Sequence, residues 1–364
     1  MPSDVKREQT AAPAPQDHPQ IEPPSFKLLG QLFIIPLIIV CAAVGIMFLI
    51  GVFAGSEQTP SLEQALSRLH NPGGGRTADV LVGPGSKQRY IDAKAVADHL
   101  MRLGASPDER AKVSDQLIDV LDHSTTDEEG DVRHFLLLAL GRAWQLDSPH
   151  GREDSPAASE ARQRALATLT KYATSNQISN EKAAILALAY WAGRAEVKKT
   201  FPMLIAKLRD ESQDLDVRLA VATVLGPIAS PTDQNVIDAL HSAMRDTNAA
   251  DLELVWASAL SLAELGQKDV ADTILVLLDR NELSKKQVLD RETDPKNPVY
   301  RPLSEQEQQR ILINTMIGAA KLDVPSVQEK LKWLKDNDPS PRVREAAREV
   351  LDKEKPQINA DERR

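Results

Sequence analysis

Residues 201–229 read FPMLIAKLRDESQDLDVRLAVATVLGPIA, and two helices are written into them. FPMLIAKLRD closes at Asp210 with its apolar residues at helical spacing, and DVRLAVATVLGPIA opens at Asp216 as an Ala- and Leu-rich second helix. Asp216 is a good N-cap, because a carboxylate accepts the free N–H groups of a first turn. Ala220 and Ala222 let neighbouring helices come close, and Gly226-Pro227 stops the second helix. One such pair cannot bury its apolar face alone, so the pattern has to recur.

It recurs along the chain. Asp131-Val132-Arg133 opens DVRHFLLLALGRA, and Arg342-Val343-Arg344 opens RVREAAREVL. Three further second helices keep the composition without the opening triplet: EKAAILALAYWAG from Glu181, DLELVWASALSLAELG from Asp251 and QQRILINTMIGAAKL from Gln308. Each follows a first helix, and most of these end in Asp, at Asp122, Asp210, Asp246, Asp279 and Asp336. The last four of these are spaced by 36, 33 and 57 residues, so the unit between Asp279 and Asp336 carries an insertion. Within a first helix, Val236, Ile237, Leu240 and Met244 show the three-and-four spacing of one buried stripe.

This pattern resembles the HEAT-repeat family of α-solenoids, and within it the bacterial HEAT-like units also found in phycobilin lyases. The likeness covers residues 111–352 and is strongest in 201–229. The resemblance implies two antiparallel helices per unit, in which the Asp opens the second helix, the Val packs inward and the Arg reaches a neighbouring unit. Asp131, Val132, Arg133, Asp216, Val217, Arg218, Val343 and Arg344 carry that signature. The expected fold is all-α: an α-solenoid of HEAT-like helix pairs preceded by one transmembrane helix. Residues 61–104, with helices SLEQALSRL and KQRYIDAKAVADHLMRLG around a Gly-rich loop, form the expected cap, and Gly73-Gly74-Gly75-Arg76 resembles the membrane-proximal segment of bacterial membrane-anchored HEAT-repeat proteins.

The expected membrane span rests on Leu32 to Phe53, 22 residues without a charged or strongly polar side chain. That is about 33 Å of helix, enough for a hydrocarbon core of roughly 30 Å. The stretch is too long for the apolar region of a cleaved signal peptide, and Cys41 lies in mid-span as a packed thiol. Gly51 and Gly55 form a G-x-x-x-G pair compatible with self-association. Lys6, Arg7 and Lys27 precede the span while only Arg68 follows within the next 20 residues, which orients the N-terminus to the cytoplasm and the large domain outside it. The division is therefore a disordered Pro-rich tail (1–27), the transmembrane helix (28–54), a Gly-rich juxtamembrane linker and helical cap (55–110), HEAT-like repeats (111–352) and a charged tail (353–364).

Composition narrows the function. With 44 Lys and Arg against 53 Asp and Glu the formal charge is −9, the wrong sign for holding a phosphate backbone, so no nucleic-acid partner is expected. One Cys excludes an internal disulfide and a Cys-based zinc site. None of the seven His forms H-E-x-x-H, Gly83-Pro84-Gly85-Ser86-Lys87 reverses the Ser and Lys order of a phosphate-binding loop, and no G-x-S-x-G elbow is present. Asp119, Asp122 and His123 read as a solvated helix end. No catalytic residue, cofactor or metal is expected.

The insertion, 281–309, concentrates basic residues on an acidic chain: Lys285, Lys286, Arg291, Lys296 and Arg301, with Tyr300 among them. Trp144, Tyr190, Trp191 and Trp256 stand among Leu and Ala as core, whereas Trp333 lies between Lys332 and Lys335. The basic residues, Tyr300 and Trp333 are the candidate partner contacts. The expected function is a membrane-anchored, non-catalytic scaffold for an unidentified protein partner; a lyase-like HEAT enzyme or a structural accessory of a membrane complex are the alternatives.

Overall fold

A computed structural model describes residues 61–70, 85–102, 106–124, 129–145, 155–245, 252–290 and 299–353. All of them belong to one compact unit, Pro60–Arg364. The expected span at 28–54 and both tails lie outside the described residues, and no helix among those residues is long and apolar enough to cross a membrane.

Helices come in pairs. α1 (Leu62–His70) pairs with α2 (Gly85–Arg102), α3 (Pro107–Asp119) with α4 (Gly130–Ala143), α5 (Pro156–Ala173) with α6 (Ile178–Leu188), α7 (Phe201–Arg209) with α8 (Leu215–Ile228), and α9 (Gln234–Met244) with α10 (Leu252–Glu264). In the sixth pair, α11 (Ala271–Leu277) is followed by α12 (Arg280–Ser284) and the strands β1 (Gln287–Leu289) and β2 (Tyr300–Pro302) before its partner α13 (Glu305–Ala320). α14 (Pro325–Asn337) and α15 (Pro341–Lys353) form the last pair. Each second helix packs on the next, α2 on α4, then α6, α8, α10, α13 and α15, so they form one continuous layer. The segment expected to be a cap is thus a full first pair of the same kind, and the second pair starts at Pro107 rather than at 111.

The layers approach through small residues. A Cβ on Gly141 would sit 2.4 Å from the Ala187 carbonyl oxygen, and one on Gly226 would sit 2.7 Å from Ser261 Oγ. Ser261 Oγ also donates to the Ala222 carbonyl at 2.6 Å, tying α10 to α8. Gly226-Pro227 therefore does not stop α8, which runs on to Ile228; the glycine is there because α10 leaves no room for a Cβ. Pro227 lies inside the helix, so the Thr223 carbonyl loses its i→i−4 bond one residue before α8 ends.

Capping differs from expectation at the central pair. Asp214, in extended backbone, caps α8 by accepting from Asp216 N at 2.9 Å. Asp216 sits inside the first turn, where its carboxylate is released to bind Lys182 Nζ of the preceding pair at 2.7 Å. Val132, Val217 and Val343 are all buried, as the inward role requires. The arginines divide: Arg133 reaches the next pair at Gln177 Oε1 (3.0 Å), but Arg218 donates to the Leu208 carbonyl (3.2 Å) and Arg344 to the Asp338 carbonyl (2.6 Å) within their own pairs. Among the described residues, helices begin at capping boxes at Ser106 with Glu109 and Ser304 with Glu307, and Ser61 with Gln64 makes the same reciprocal pair at α1. The box at Ser304 makes α13 start three residues ahead of the expected Gln308.

Candidate docking face

The first helices show solvent a polar side, stitched pair to pair by charge. Arg164 of α5 pairs with Asp115 of α3 at 2.9 Å, Lys171 with Asp122 at 2.8 Å, Arg162 with Glu196 at 2.7 Å, Lys198 with Asp233 at 2.8 Å, and Lys268 with Asp323 at 3.0 Å. At the start of the stack, Asp119 stands between His70 Nδ1 (2.9 Å) and His123 Nδ1 (3.0 Å), beside a half-open cleft of about 980 Å³ between α1 and α3. The helix end expected from Asp119, Asp122 and His123 is a π-turn, Val120–Ser124, and its imidazole and carboxylate groups latch α1 to α3. No cluster of three His, Cys, Asp or Glu residues able to hold a metal ion occurs among the described residues.

The second helices differ. Their apolar residues exceed what one buried stripe can use, and the surplus lies on the side away from the first helices. On α8, Val217, Val221, Val224 and Leu225 are buried while Leu219, Thr223 and Pro227, one turn apart, reach the surface. The same register on the other second helices gives Phe135 and Leu138 on α4, Leu186 on α6 with Tyr190 just beyond its end, Ala257 and Leu260 on α10, and Ile313 and Ile317 on α13. Ile317 is 53% exposed.

Contacts between neighbouring second helices flank these residues. Tyr90 of α2 meets Phe135 edge-on at 4.8 Å, Arg142 of α4 lies over the Tyr190 ring at 5.2 Å, Lys182 of α6 binds Asp216 of α8, and a Cβ on Gly318 of α13 would come 3.5 Å from Glu264 Cγ of α10. The elements packing on α6, α8 and α10 are first helices, neighbouring second helices and short terminal turns. By register, a mostly apolar and half-buried row runs over five helices, from Leu138 through Leu186, the polar Thr223 and Leu260 to Ile313. Charged groups border it: His134, Lys182, Asp216, Glu253 and Arg310 towards the helix starts, Arg142, Glu264 and Lys321 towards the ends.

Burial shapes the titration of three of these. It lowers the His134 pKa, with Lys182 adding to the effect against Asp131. It raises the carboxyl pKa of Glu253, reinforced by Glu307, and that of Glu264, which only Lys321 opposes.

The residues singled out from sequence lie elsewhere. The insertion is partly built, with β1 and β2 antiparallel and Val288 opposite Arg301. Leu283, Val288 and Leu303 are buried beneath it. Two of its described basic residues are paired within the chain: Lys285 with Glu282 at 2.6 Å, and Arg301 in a fork onto Glu307 at 2.7 and 2.8 Å. That fork, with Ser304, holds the Glu307 carboxyl far below the usual carboxylate range. Lys286 is half-buried, Tyr300 is exposed on β2, and Arg291 and Lys296 lie outside the described residues. Trp333 is 50% exposed on α14, with Lys330 Nζ 4.9 Å above its ring. Trp144, Trp191 and Trp256 are buried as expected, and Trp144 Nε1 donates to Ser114 Oγ at 3.0 Å. Tyr190, grouped with them from sequence, is half-buried and packed against the core, with Arg142 over its ring.

No family model matches the sequence, and no curated protein matches it significantly. Among solved structures, that of human deoxyhypusine hydroxylase in complex with glycerol is similar over 74% of this chain and 98% of that chain, at 15% identity and a TM-score of 0.28. So loose an overlap says nothing of chemistry.

Proposed function

We propose that this chain is a membrane-anchored, HEAT-like helical scaffold that binds another protein along the solvent side of its second helices. The observation carrying the reading is the row Leu138, Leu186, Leu260 and Ile313, aliphatic side chains that are half-buried, with Ile317 exposed at its end and Thr223 between them, where the first helices put charge. Partly exposed apolar side chains gathered in one row point to an interaction site more than the same residues scattered singly do. Stacked repeats suit the task, because each adds one copy of the same surface to an extended platform. The apolar stretch at 32–53 supplies the anchor, which confines binding to the membrane and raises effective concentration.

Two measurements test the two halves. The full chain should stay with the membrane pellet after alkaline carbonate washing; release into the supernatant removes the anchor. Photo-crosslinking residues placed at Leu186, Leu260 and Ile317 in native membranes should capture a common protein, whereas those at Gln116 and Asp238 on the first helices should not. Equal capture from both layers, or none from the second helices, removes the docking face.

A further inference from the structure

Glu264 breaks two local rules at once. It is the last residue of α10, at the negative end of the helix dipole, where a carboxylate is disfavoured. It is half-buried, yet makes no hydrogen bond or ion pair among the described residues, and Lys321 acts on it only through space. Beside it, across Gly318, stands Ile317, the most exposed large aliphatic residue among those described. An unmatched acid and an unmatched aliphatic surface are therefore neighbours on the α10–α13 edge of the apolar row. Such conflicts between local preference and fold concentrate at functional sites.

One chemical group satisfies both. A Lys or Arg side chain carries an aliphatic stem that covers apolar surface and a cation that pairs with a carboxylate. We propose that the second-helix face docks a cationic amphipathic helix of a partner protein, laying the stem of a Lys or Arg over Ile317 and its charge against Glu264. This rests on the docking-face reading above. Helix packing sets neighbouring second helices about 8–10 Å apart, and a docked helix repeats its side chains every seven residues at about 10.5 Å, so successive apolar residues meet successive members of the row. On the opposite border Asp216 and Glu253 stand with the cations Lys182 and Arg310, so Glu264 is the acid left for an incoming cation.

The test uses the full chain in nanodiscs and a labelled Leu/Lys peptide of about three heptads, followed by fluorescence anisotropy. Glu264→Gln should weaken binding about tenfold or more, the scale of a charge-assisted contact. Ile317→Glu should abolish it, Asp238→Asn on α9 should leave it unchanged, and the same peptide with Glu for Lys should not bind. If Glu264→Gln binds as tightly as the parent while Leu186→Lys with Leu260→Lys does not bind, the contact proposed here is overturned and the docking face stands. If neither set changes binding, both are overturned. Flotation with phosphatidylglycerol vesicles that is lost in Ile317→Glu but kept in Glu264→Gln would give the face to lipid and overturn the proposal.

Discussion

First helices meet their neighbours across mostly exposed ion pairs, while second helices, alongside pairs such as Lys182 with Asp216, meet theirs through close contacts of Gly, Ala and Ser. Arg164 with Asp115 and Lys198 with Asp233 join side chains that reach into water. Gly141 on Ala187 and Gly226 on Ser261 join backbones with no space for one added carbon. The difference teaches which layer sets the spacing of the stack. Exposed ion pairs contribute little each and are screened by salt, whereas close packing is felt at the level of a single methyl group. A rigid second-helix layer is also what a docking platform requires, since its row of side chains keeps its spacing only if the helices beneath cannot slide.

The largest expected effect comes from an ion pair that behaves like packing. Arg280 at the start of α12 forks onto Asp338 in the turn before α15, at 2.8 and 2.9 Å, and the Asp338 side chain is only 1% exposed. Removing the cation leaves a buried carboxylate whose remaining donor among the described residues is Ser340 N. Arg280→Met should therefore lower stability by about 3–5 kcal/mol in urea unfolding. A loss below about 1 kcal/mol would mean that the last pair is held as loosely as the surface pairs are.

The glycines grade the second layer. Gly141→Ala places a Cβ 2.4 Å from a backbone oxygen, Gly226→Ala places one 2.7 Å from a serine side chain, and Gly318→Ala places one 3.1 Å from the Leu260 oxygen. Helix propensity favours alanine at all three by up to about 1 kcal/mol, so the clash has to exceed that to show. Gly141→Ala should lose about 1–3 kcal/mol, Gly226→Ala somewhat less, and Gly318→Ala should be near neutral. Ser261→Gly should recover part of the Gly226→Ala loss. Equal effects at the three sites would break the link between spacing and packing.

Much of the pairing was legible because each helix repeats its period and its opening residues. Three things were not. Asp214 and Asp216 are both capping residues by type, and only the extended backbone at Asp214 decides between them. The docking row was hidden because a second helix apolar around its circumference cannot reveal from spacing which residues face the core; an excess over one stripe was the available signal. The Arg280–Asp338 fork joins residues 58 apart across an insertion, which no local pattern encodes. The pairing of the insertion's charges was not legible either: charges counted along the chain do not show which are paired, and Arg301 and Lys285 are. The boxes at Ser106-x-x-Glu109 and Ser304-x-x-Glu307, by contrast, are written plainly in the sequence.

A flaw in the second layer sharpens the comparison through pH. Asp92 on α2 is buried against α1, its Oδ2 has no hydrogen-bond partner, and Oδ1 accepts from Gln88 Nε2 at 3.2 Å. Burial raises its carboxyl pKa above the ordinary 3.8, against the opposing pull of Gln88 and Arg68. The folded protein then keeps a proton that the unfolded chain has released, so stability falls as pH rises from 3.8 through the folded value and is level above it. Asp92→Asn should raise the midpoint of thermal unfolding at pH 7 by ~2 °C, and the gain should vanish below the ordinary carboxylate range. A gain that persists in acid would assign the effect to packing instead of charge.

The smallest effect belongs to the first layer and decides whether its ion pairs hold anything. Arg164 and Asp115 are each about half exposed, at 51% and 47%, so their fork contributes roughly 0.2–1 kcal/mol at low salt. Arg164→Ala should cost that much in dilute buffer and nearly nothing in molar salt, where the Debye length falls to about 3 Å. Gly141→Ala should cost the same in both. If salt also erased the Gly141 loss, the second layer would owe its spacing to long-range charge, and the distinction between the two layers would collapse. If salt left the Arg164 loss intact, the stems of these long side chains, packed along α3 and α5, would be what joins the first helices.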